Sequence, residues 1–433
     1  MIWWQKQSVA NGSRFSTNST VLNAGFFPNF RLLPVGNLGK STNWENTYSQ
    51  SVLSVNESSI NPRIVAANTR FSFKLFSQLQ TEQANQNVFI SPASVSVALA
   101  IAYNGSNGET RQAIARTLEL QEISIQEVNQ ANAVIKKQLQ ESRLKSQIQL
   151  ANSLWIDKQE PLKPDFSQKI QRYYQAEIQR INFREPQATA RINSWVRKST
   201  NGRIDRIIER IEPNTAFLLL NAIYFVGNWK YPFARELTKD HPFTLVNGTQ
   251  KSVKMMFQQI PGVKYYENEL FQAISLPYSD TRLSMYIFLP NKDVGIKGFY
   301  QNLNQKNWQK WMEYFNSNEL DNDYSQFISV GLPRFQLNYE VDLINALKAL
   351  GMQIAFSQKA DFSSITVPPL WIGKVQHKTF LEVNEEGTTA TAVTNIGGSR
   401  GGLTKIIVDR PFFCVICDNE TGTILFMGSI VNP

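Results

Sequence analysis

Histidine and cysteine are scarce in this sequence, which holds only two of each. They do not form a cluster with the spacing of a zinc site, and neither a Gly-x-Ser-x-Gly motif nor a phosphate-binding glycine loop is present. A Ser-His-Asp hydrolase could be assembled only around His241 or His377. Cys414 and Cys417 lie in an apolar run that predicts a strand, where their side chains point to opposite faces and cannot form a disulfide. We therefore expect no enzyme, no cofactor, no metal and a fold that does not depend on an oxidising compartment.

Long apolar segments are missing as well. No run of about 18 to 20 apolar residues is present, which excludes a membrane-spanning helix. The first residues, Met1–Gln7, lack the basic start and apolar stretch of a secretory signal. Charged residues make up only 18% of the chain, and the net charge of +9 comes from lysines and arginines that are spread along the sequence. We therefore expect neither a membrane nor a nucleic acid as a partner.

The densest cationic cluster falls on a helix predicted near residues 125–142. A run of charge on a helix is usually a solvated face, and this is our interpretation here. The alternative is a polyanion partner such as a heparin-like glycan, whose binding would depend strongly on salt. The cluster consists of Lys136, Lys137, Arg143 and Lys145.

Residues 1–62 differ from the rest of the chain. They are rich in asparagine and serine and lack apolar periodicity, which predicts a poorly ordered extension. Helical patterns then come first, and Ser91-Pro92 has the N-cap serine and first-turn proline of a helix start. Strands are predicted later, with Ala216–Phe225 buried on both faces and the alternating run Val375–Val383 half-buried. The pattern predicts one α+β unit over residues 63–433.

A segment without helix or strand periodicity, residues 385–410, separates two predicted strands. Loops longer than about 12–15 residues in a compact domain are usually functional or disordered. Residues 388–394 are small or β-branched, uncharged and free of proline, so they could join a sheet without a steric clash. Further on, Arg400 stands alone between two pairs of glycines. An exposed arginine in flexible backbone suits the Asp-containing pocket of a trypsin-like protease, although composition alone also fits a plain surface loop.

Several segments resemble the serpin family, in the order in which the family has them. Together they extend over residues 63–433, and the chain is identified as a member of this family on their strength. The segments are Asn87-Val-Phe-Ile-Ser-Pro-Ala-Ser94, Leu220-Asn-Ala-Ile-Tyr-Phe-Val-Gly-Asn-Trp229, Leu381-Glu-Val-Asn-Glu-Glu-Gly-Thr388, Arg410-Pro-Phe412 and Asp418-Asn-Glu-Thr-Gly-Thr-Ile-Leu-Phe-Met-Gly-Ser-Ile-Val-Asn-Pro433.

The resemblance implies a serpin fold of three β-sheets and about nine helices, with an exposed reactive-centre loop at about residues 385–410. It implies a monomeric, cofactor-free inhibitor that traps a trypsin-like serine protease in a covalent one-to-one complex. In the family, the protease cleaves the loop as an acyl-ester, and the loop then inserts into the central sheet, sheet A, and distorts the bound protease. The resemblance also implies an extracellular protein, while the missing signal leaves a cytoplasmic location open.

The resemblance assigns the bait and the hinge of this loop. The bait is Arg400, with cleavage before Gly401. Counting back from Arg410 supports this bond, whereas counting forward from Gly387 points to the bond after Gly401, and Lys405 is a further alternative. The hinge comprises Glu385, Glu386, Gly387, Thr388, Ala390 and Ala392, and its alternate small side chains are those that inhibitory members require.

Two clusters in sheet A also follow from the resemblance. The shutter, beneath the strands that part, would join Ser91, Ser94, Asn221 and His377 by hydrogen bonds. A lone histidine on an apolar strand face is usually a satisfied core residue, which agrees with this placement. The breach, at the top of the sheet, would hold Trp229 and an ion pair between Arg334 and Glu385. The alternative within the family is a non-inhibitory chaperone, storage or hormone-carrier protein, against which the small hinge residues argue.

Overall fold

A computed structural model describes residues 60–140, 147–212, 215–317, 327–367, 369–386 and 404–433. The predicted N-terminal extension lies outside the described residues up to position 59. Ile60, the first described residue, is already buried, and the side chain of Asn61 accepts a hydrogen bond of 3.0 Å from the backbone N–H of Arg63. The folded unit therefore includes the residues that cap its first helix.

The described residues form nine α-helices. Three of these helices begin with proline, whose missing N–H group costs nothing in the first turn of a helix. Ser91 caps the second helix, as its sequence predicts. The helices are α1 (Pro62–Glu82), α2 (Pro92–Gly105), α3 (Gly108–Thr117), α4 (Ile125–Gln140), α5 (Pro164–Tyr174), α6 (Ala188–Ser199), α7 (Gly295–Gln301), α8 (Gln305–Asn316) and α9 (Ile344–Leu347). None of these helices is long and apolar enough to cross a membrane, in the part of the chain that the structure describes.

The described strands form three sheets of mixed and antiparallel pairing, so the predicted α+β class is confirmed. The first strands are β1 (Val88–Ile90), β2 (Gln147–Asp157), β3 (Glu177–Ile181), β4 (Phe217–Val226), β5 (Lys239–Thr244), β6 (Gln250–Pro261), β7 (Tyr265–Glu267) and β8 (Phe271–Pro277). The later strands are β9 (Leu283–Pro290), β10 (Phe327–Pro333), β11 (Phe335–Asp342), β12 (Ile372–Val383), β13 (Lys405–Ile407), β14 (Phe412–Asp418) and β15 (Ile424–Ile430).

The five-stranded sheet has the order β11-β12-β4-β2-β3 and corresponds to sheet A. The central strand β4 and its neighbour β12 run parallel, while each pairs antiparallel with its other neighbour. A four-stranded sheet has the order β13-β10-β6-β5, and a six-stranded sheet has the order β1-β15-β14-β9-β8-β7. The segment between β12 and β13, which contains the predicted bait, therefore connects two different sheets.

The prediction that β12 is half-buried is wrong. Gln376, Lys378 and Phe380, which were expected to face solvent, are all buried. On this face Phe380 packs in one apolar cluster with Ile192 and Val196 of α6, whereas Gln376 and Lys378 lie beside Glu340 on β11. Both polar side chains donate a hydrogen bond to this carboxylate, Gln376 at 2.9 Å and Lys378 at 2.7 Å, while the buried Oε1 of Gln376 has no partner among the described residues.

The two cysteines lie on β14 and are buried and unpaired, as predicted. Burial raises the pKa of the Cys414 thiol to about 12 and that of Cys417 further. Both thiols are therefore core side chains rather than nucleophiles.

Candidate functional site

The candidate site is the boundary between β4 and β12, which we call the seam. The two strands pair in parallel from Phe217 and Ile372 at one end to Phe225 and Leu381 at the other. β12 ends at Val383, and the chain continues through Asn384, Glu385 and Glu386 into residues 387–403. The bait pair Arg400 and Gly401 and the hinge residues Gly387, Thr388, Ala390 and Ala392 lie outside the described residues.

Four predicted shutter residues meet beneath the middle of the seam. His377 on β12 is directly opposite Asn221 on β4, and the imidazole Nδ1 lies 2.5 Å from the amide Oδ1. The hydroxyl of Ser94 donates to the same oxygen at 2.8 Å, and the backbone N–H of Ser91 donates to His377 Nε2 at 3.1 Å. The structure thus joins both strands of the seam to the start of α2 through one hydrogen-bond network.

The contacts of His377 define its protonation state. Nε2 accepts a hydrogen bond from a backbone N–H, so the ring proton is on Nδ1 and is donated to Asn221. Burial lowers the pKa of His377 to about 3, because the network offers no carboxylate to compensate for the lost hydration of an imidazolium. His377 is therefore neutral near neutral pH, and its role here is to connect strands rather than to transfer protons.

The sequence analysis missed a fifth member of this network, Asn152 on β2. Asn152 lies opposite Asn221 across the β2–β4 ladder, and its Oδ1 accepts a hydrogen bond from the Asn221 amide. The network therefore crosses three adjacent strands. The signal was present in the sequence, because Asn152 is a lone amide in the apolar segment Leu150–Ile156, just as Asn221 is in its own strand.

The predicted breach residues surround the end of β12. The indole N–H of Trp229 donates to the backbone oxygen of Asn384 at 2.9 Å, and its ring stacks on Tyr278 with the centroids 4.7 Å apart. These contacts hold the chain at the point where it leaves the sheet.

Glu385 forms the predicted ion pair with Arg334, but this pair is long. Its Oε2 lies 3.8 Å from Arg334 Nη1, whereas the hydroxyl of Thr238 donates to its Oε1 at 2.9 Å. The Glu385 side chain is only 8% exposed and that of Arg334 is 54% exposed. The hydrogen bond from Thr238 is therefore the closer contact, and no feature of the sequence indicated it. The next hinge residue, Glu386, pairs with Arg235.

The interpretation of the cationic cluster as a solvated face is wrong for Lys136. This side chain is 9% exposed, and its ammonium group donates to the backbone oxygen of Tyr174 at 2.6 Å, at the C-terminal end of α5. Burial lowers its pKa to about 8. Lys136 therefore joins α4 to α5 and is not available to a polyanion, while Arg143 and Lys145 lie outside the described residues.

The alternative bait Lys405 is the first residue of β13. It lies opposite Ser329 in the parallel ladder with β10. A protease would have to strip this strand from the sheet before it could bind Lys405 in an extended conformation. Among the described residues, no three His, Cys, Asp or Glu side chains are placed to hold a metal ion.

Comparisons with known proteins agree with this architecture. The family model described as Serpin (serine protease inhibitor) matches residues 66–433. An uncharacterized serpin-like protein of Methanosarcina mazei is 33% identical over 389 residues, which cover 86% of this chain and 87% of that protein. The leukocyte elastase inhibitor of Sus scrofa is 33% identical over 384 residues, covering 86% of this chain and 100% of the relative.

Among solved structures, the crystal structure of a thermophilic serpin, tengpin, in the native state is similar to this chain. Its TM-score is 0.78 at 29% identity, with 87% of this chain and 96% of that chain covered. None of these names supports the extracellular location that the resemblance implied. The matched family spans all three sheets and both sides of the seam. The chain therefore belongs to the serpin family of serine protease inhibitors and is not an enzyme.

Proposed function

We propose that this chain is a single-use inhibitor of trypsin-like serine proteases, cleaved between Arg400 and Gly401. Arg400 is the only cation between Gly387 and Thr404, and it is flanked by glycines that impose no fixed conformation. The protease serine would attack the Arg400 carbonyl and release the Gly401 amine, leaving an acyl-ester. Inhibition then requires that the freed segment move before water hydrolyses that ester.

The observation that carries the proposal is the seam itself. β12 is 12 residues long, and residues 388–399 match it in length. A segment that turned back after β12 would run antiparallel to β12 and, because β4 is parallel to β12, antiparallel to β4 as well. Such a strand could form complete ladders on both sides. The sheet therefore accepts one further strand, and the bait loop is already attached at the correct end.

The register supports insertion of the hinge with its small residues inward. If residues 384–387 form the turn, Thr388 pairs with Val383 and Thr394 pairs with His377. Residues directly opposite each other in an antiparallel ladder point to the same face. Thr388, Ala390, Ala392 and Thr394 would then face the core with Val383, Leu381, Thr379 and His377. That face is closed by α2 and β1, where the Thr379 hydroxyl donates to the Phe89 oxygen at 2.7 Å, so large side chains would not fit.

Insertion must also break the bond between His377 and Asn221. The inserted strand would double the distance between β4 and β12, from about 4.8 to about 9.6 Å. The hydroxyl of Thr394 would then take a position between the two side chains and could bond to either. A net gain of one ladder, at about 1 kcal/mol for each of roughly a dozen hydrogen bonds, is on the order of ten kcal/mol. This is comparable to the stability of a whole domain and is enough to deform a tethered protease.

Incubation with trypsin tests the proposal. We expect a one-to-one complex that survives boiling in SDS, together with a released C-terminal peptide that begins at Gly401. A peptide that begins at Gly402 would move the bait to Gly401, and one that begins at Ile406 would move it to Lys405. Full cleavage without complex formation would identify a substrate, and a chain left intact would favour a non-inhibitory role. Either of the last two results would refute the proposed inhibition.

A further inference from the structure

The face of the four-stranded sheet beside the bait loop carries a strip of exposed cationic and half-buried apolar side chains. We define this loop-side face by Lys239, Phe257, Gly331, Lys405 and Ile407. Residues that lie opposite each other on paired strands, or two apart on one strand, share a face of the sheet. Gly331 lies opposite both Phe257 and Ile407, and Lys405 is two residues from Ile407. Lys239 lies opposite Met255, which is two residues from Phe257, so all five residues lie on one side. The face therefore extends across all four strands, from β13 to β5.

Gly331 creates the apolar part of this face. A Cβ atom at this position would lie 2.9 Å from Cε1 of Phe257 and 3.3 Å from the side chain of Ile407. The absence of a side chain thus leaves room over the backbone of β10 for the Phe257 ring from one side and the Ile407 side chain from the other. Both apolar side chains remain only half-buried. The centre of the face is therefore an apolar surface that is still accessible to solvent, and not part of the closed core.

A lysine side chain lies at each end of this apolar surface. Lys405 is exposed on β13, and Lys239 is exposed on β5 with its ammonium 5.0 Å from the centre of the Phe257 ring. Neither forms an ion pair with a described residue. The only acidic residue in the four strands is Asp240, which points to the opposite face and pairs with Lys254 at 3.0 Å. The loop-side face therefore has a uniformly positive charge.

The position of this face follows from the attachment of the loop. Arg400 precedes Thr404 by four residues, which span at most about 14 Å when extended. A protease whose pocket holds Arg400, with a body at least 30 Å wide, must therefore extend over β13 and the strands beside it. We propose that the loop-side face is a second contact surface for the target protease. It would bind an acidic surface loop that carries an apolar side chain beside the active-site cleft.

This inference rests on the proposed function and adds a selectivity that the bait lacks. Arg400 alone would accept many trypsin-like proteases with an Asp-containing pocket. A positive secondary surface would favour those with an acidic rim, since charge complementarity raises the association rate and like charge lowers it. The bait would then set the cleavage site, and the loop-side face would set which protease reaches it fastest.

Charge reversal tests the inference. The variant Lys239→Glu/Lys405→Glu should slow complex formation with an anionic trypsin about tenfold at low salt, a typical steering effect. The same variant should slow complex formation with a cationic trypsin much less or accelerate it. The matched control is Lys169→Glu/Lys198→Glu, which changes net charge equally at exposed positions on α5 and α6. Phe257→Ala tests the apolar part of the face. It should weaken binding to an inactive anionic trypsin, in which alanine replaces the catalytic serine. Thermal unfolding of the variant shows whether it is folded.

The outcomes separate this inference from the function on which it rests. If the parent chain forms no covalent complex, both fail. If complexes form and the two double variants slow the anionic trypsin equally, only net charge matters and the contact surface is refuted. If neither variant has an effect, the target protease does not contact the loop-side face, and the inference is again refuted. A change in oligomeric state of the Lys239→Glu/Lys405→Glu variant alone would identify a second copy of the chain as the occupant of this face.

Discussion

The hydrogen bond between His377 and Asn221 should stabilise the intact protein and contribute nothing after the loop has been cut. The perturbation is a double-mutant cycle of His377→Ala and Asn221→Ala, which isolates the coupling between the two side chains from the loss of their other contacts. The bond is 2.5 Å long and both residues are buried. A neutral hydrogen bond contributes about 1 kcal/mol on average, and a buried network strengthens it, so we expect a coupling of about 1–2 kcal/mol.

The assay is guanidinium unfolding of the four proteins, each intact and each cleaved in the loop by a metalloprotease, which forms no acyl-ester. With the inserted strand between β4 and β12 the two side chains can no longer touch, so the coupling should fall to about zero. Asn104 and Asn129 provide the control. Their amides bond reciprocally at 2.7 and 3.0 Å between α2 and α4, away from the seam. Their coupling should be the same in both forms. A His377–Asn221 coupling that survived cleavage unchanged would refute insertion at the seam.

Three further predictions concern the hinge and two buried bases. Thr388→Arg should convert the inhibitor into a substrate, because the arginine side chain would face the core of the sheet. Thr389→Arg, whose side chain would face the other way, should retain the SDS-stable complex. A stable complex with Thr388→Arg would contradict the proposed register. The pKa of His377 is about 3 in the folded state and about 6.5 in the unfolded chain, so the unfolded chain takes up the proton and stability falls as pH drops from about 6.5 towards 3. His377→Gln should reduce this acid sensitivity, as measured by unfolding from pH 7 to pH 4. The pKa of Lys136 is lowered to about 8, so its own contribution to stability should rise between about pH 8 and pH 10.5, against the fall contributed by the buried thiols of Cys414 and Cys417. Lys136→Met should therefore make stability fall more steeply with pH over this range than in the parent chain.

The elements that the sequence predicted well are those whose cause is local. The start of α2 at Ser91-Pro92 and the doubly buried strand β4 depend on a cap, a proline and an apolar run, and the structure has both where they were expected. The family motifs also identified the four shutter residues, and these meet in one network that Ser91 joins through its backbone N–H. These features can be read from short segments because their geometry is decided within a few residues.

The predictions that failed depended on what lies across the fold from a segment. The alternation in β12 suggested one solvent-exposed face, but Phe380 on that face packs in one cluster with α6 residues from a distant part of the sequence, and Lys378 is buried beside Glu340 of β11. Lys136 appeared to belong to a surface cluster until the end of α5 supplied a carbonyl oxygen for its ammonium group. Thr238, which donates to Glu385, lies far from the hinge in sequence. A single sequence does not reveal such partners, because the residues around one member of a pair do not indicate which distant residue it contacts.

The chemistry of the seam explains how one sheet can be stable in two forms. An apolar contact between β4 and β12 would be unselective, because hydrophobic burial has no direction and any apolar side chain of an inserted strand could restore it. His377 and Asn221 instead form a directional bond that another hydroxyl or amide can replace, and unreplaced polar groups at this depth would cost about 1–3 kcal/mol each. The closed sheet is therefore held until a strand bearing a suitable polar group, such as Thr394, is free to enter. Replacing Thr394 by valine should leave the intact protein unchanged and lower the stability of the cleaved form alone. Equal stability of the two cleaved proteins would show that the inserted strand does not replace this bond.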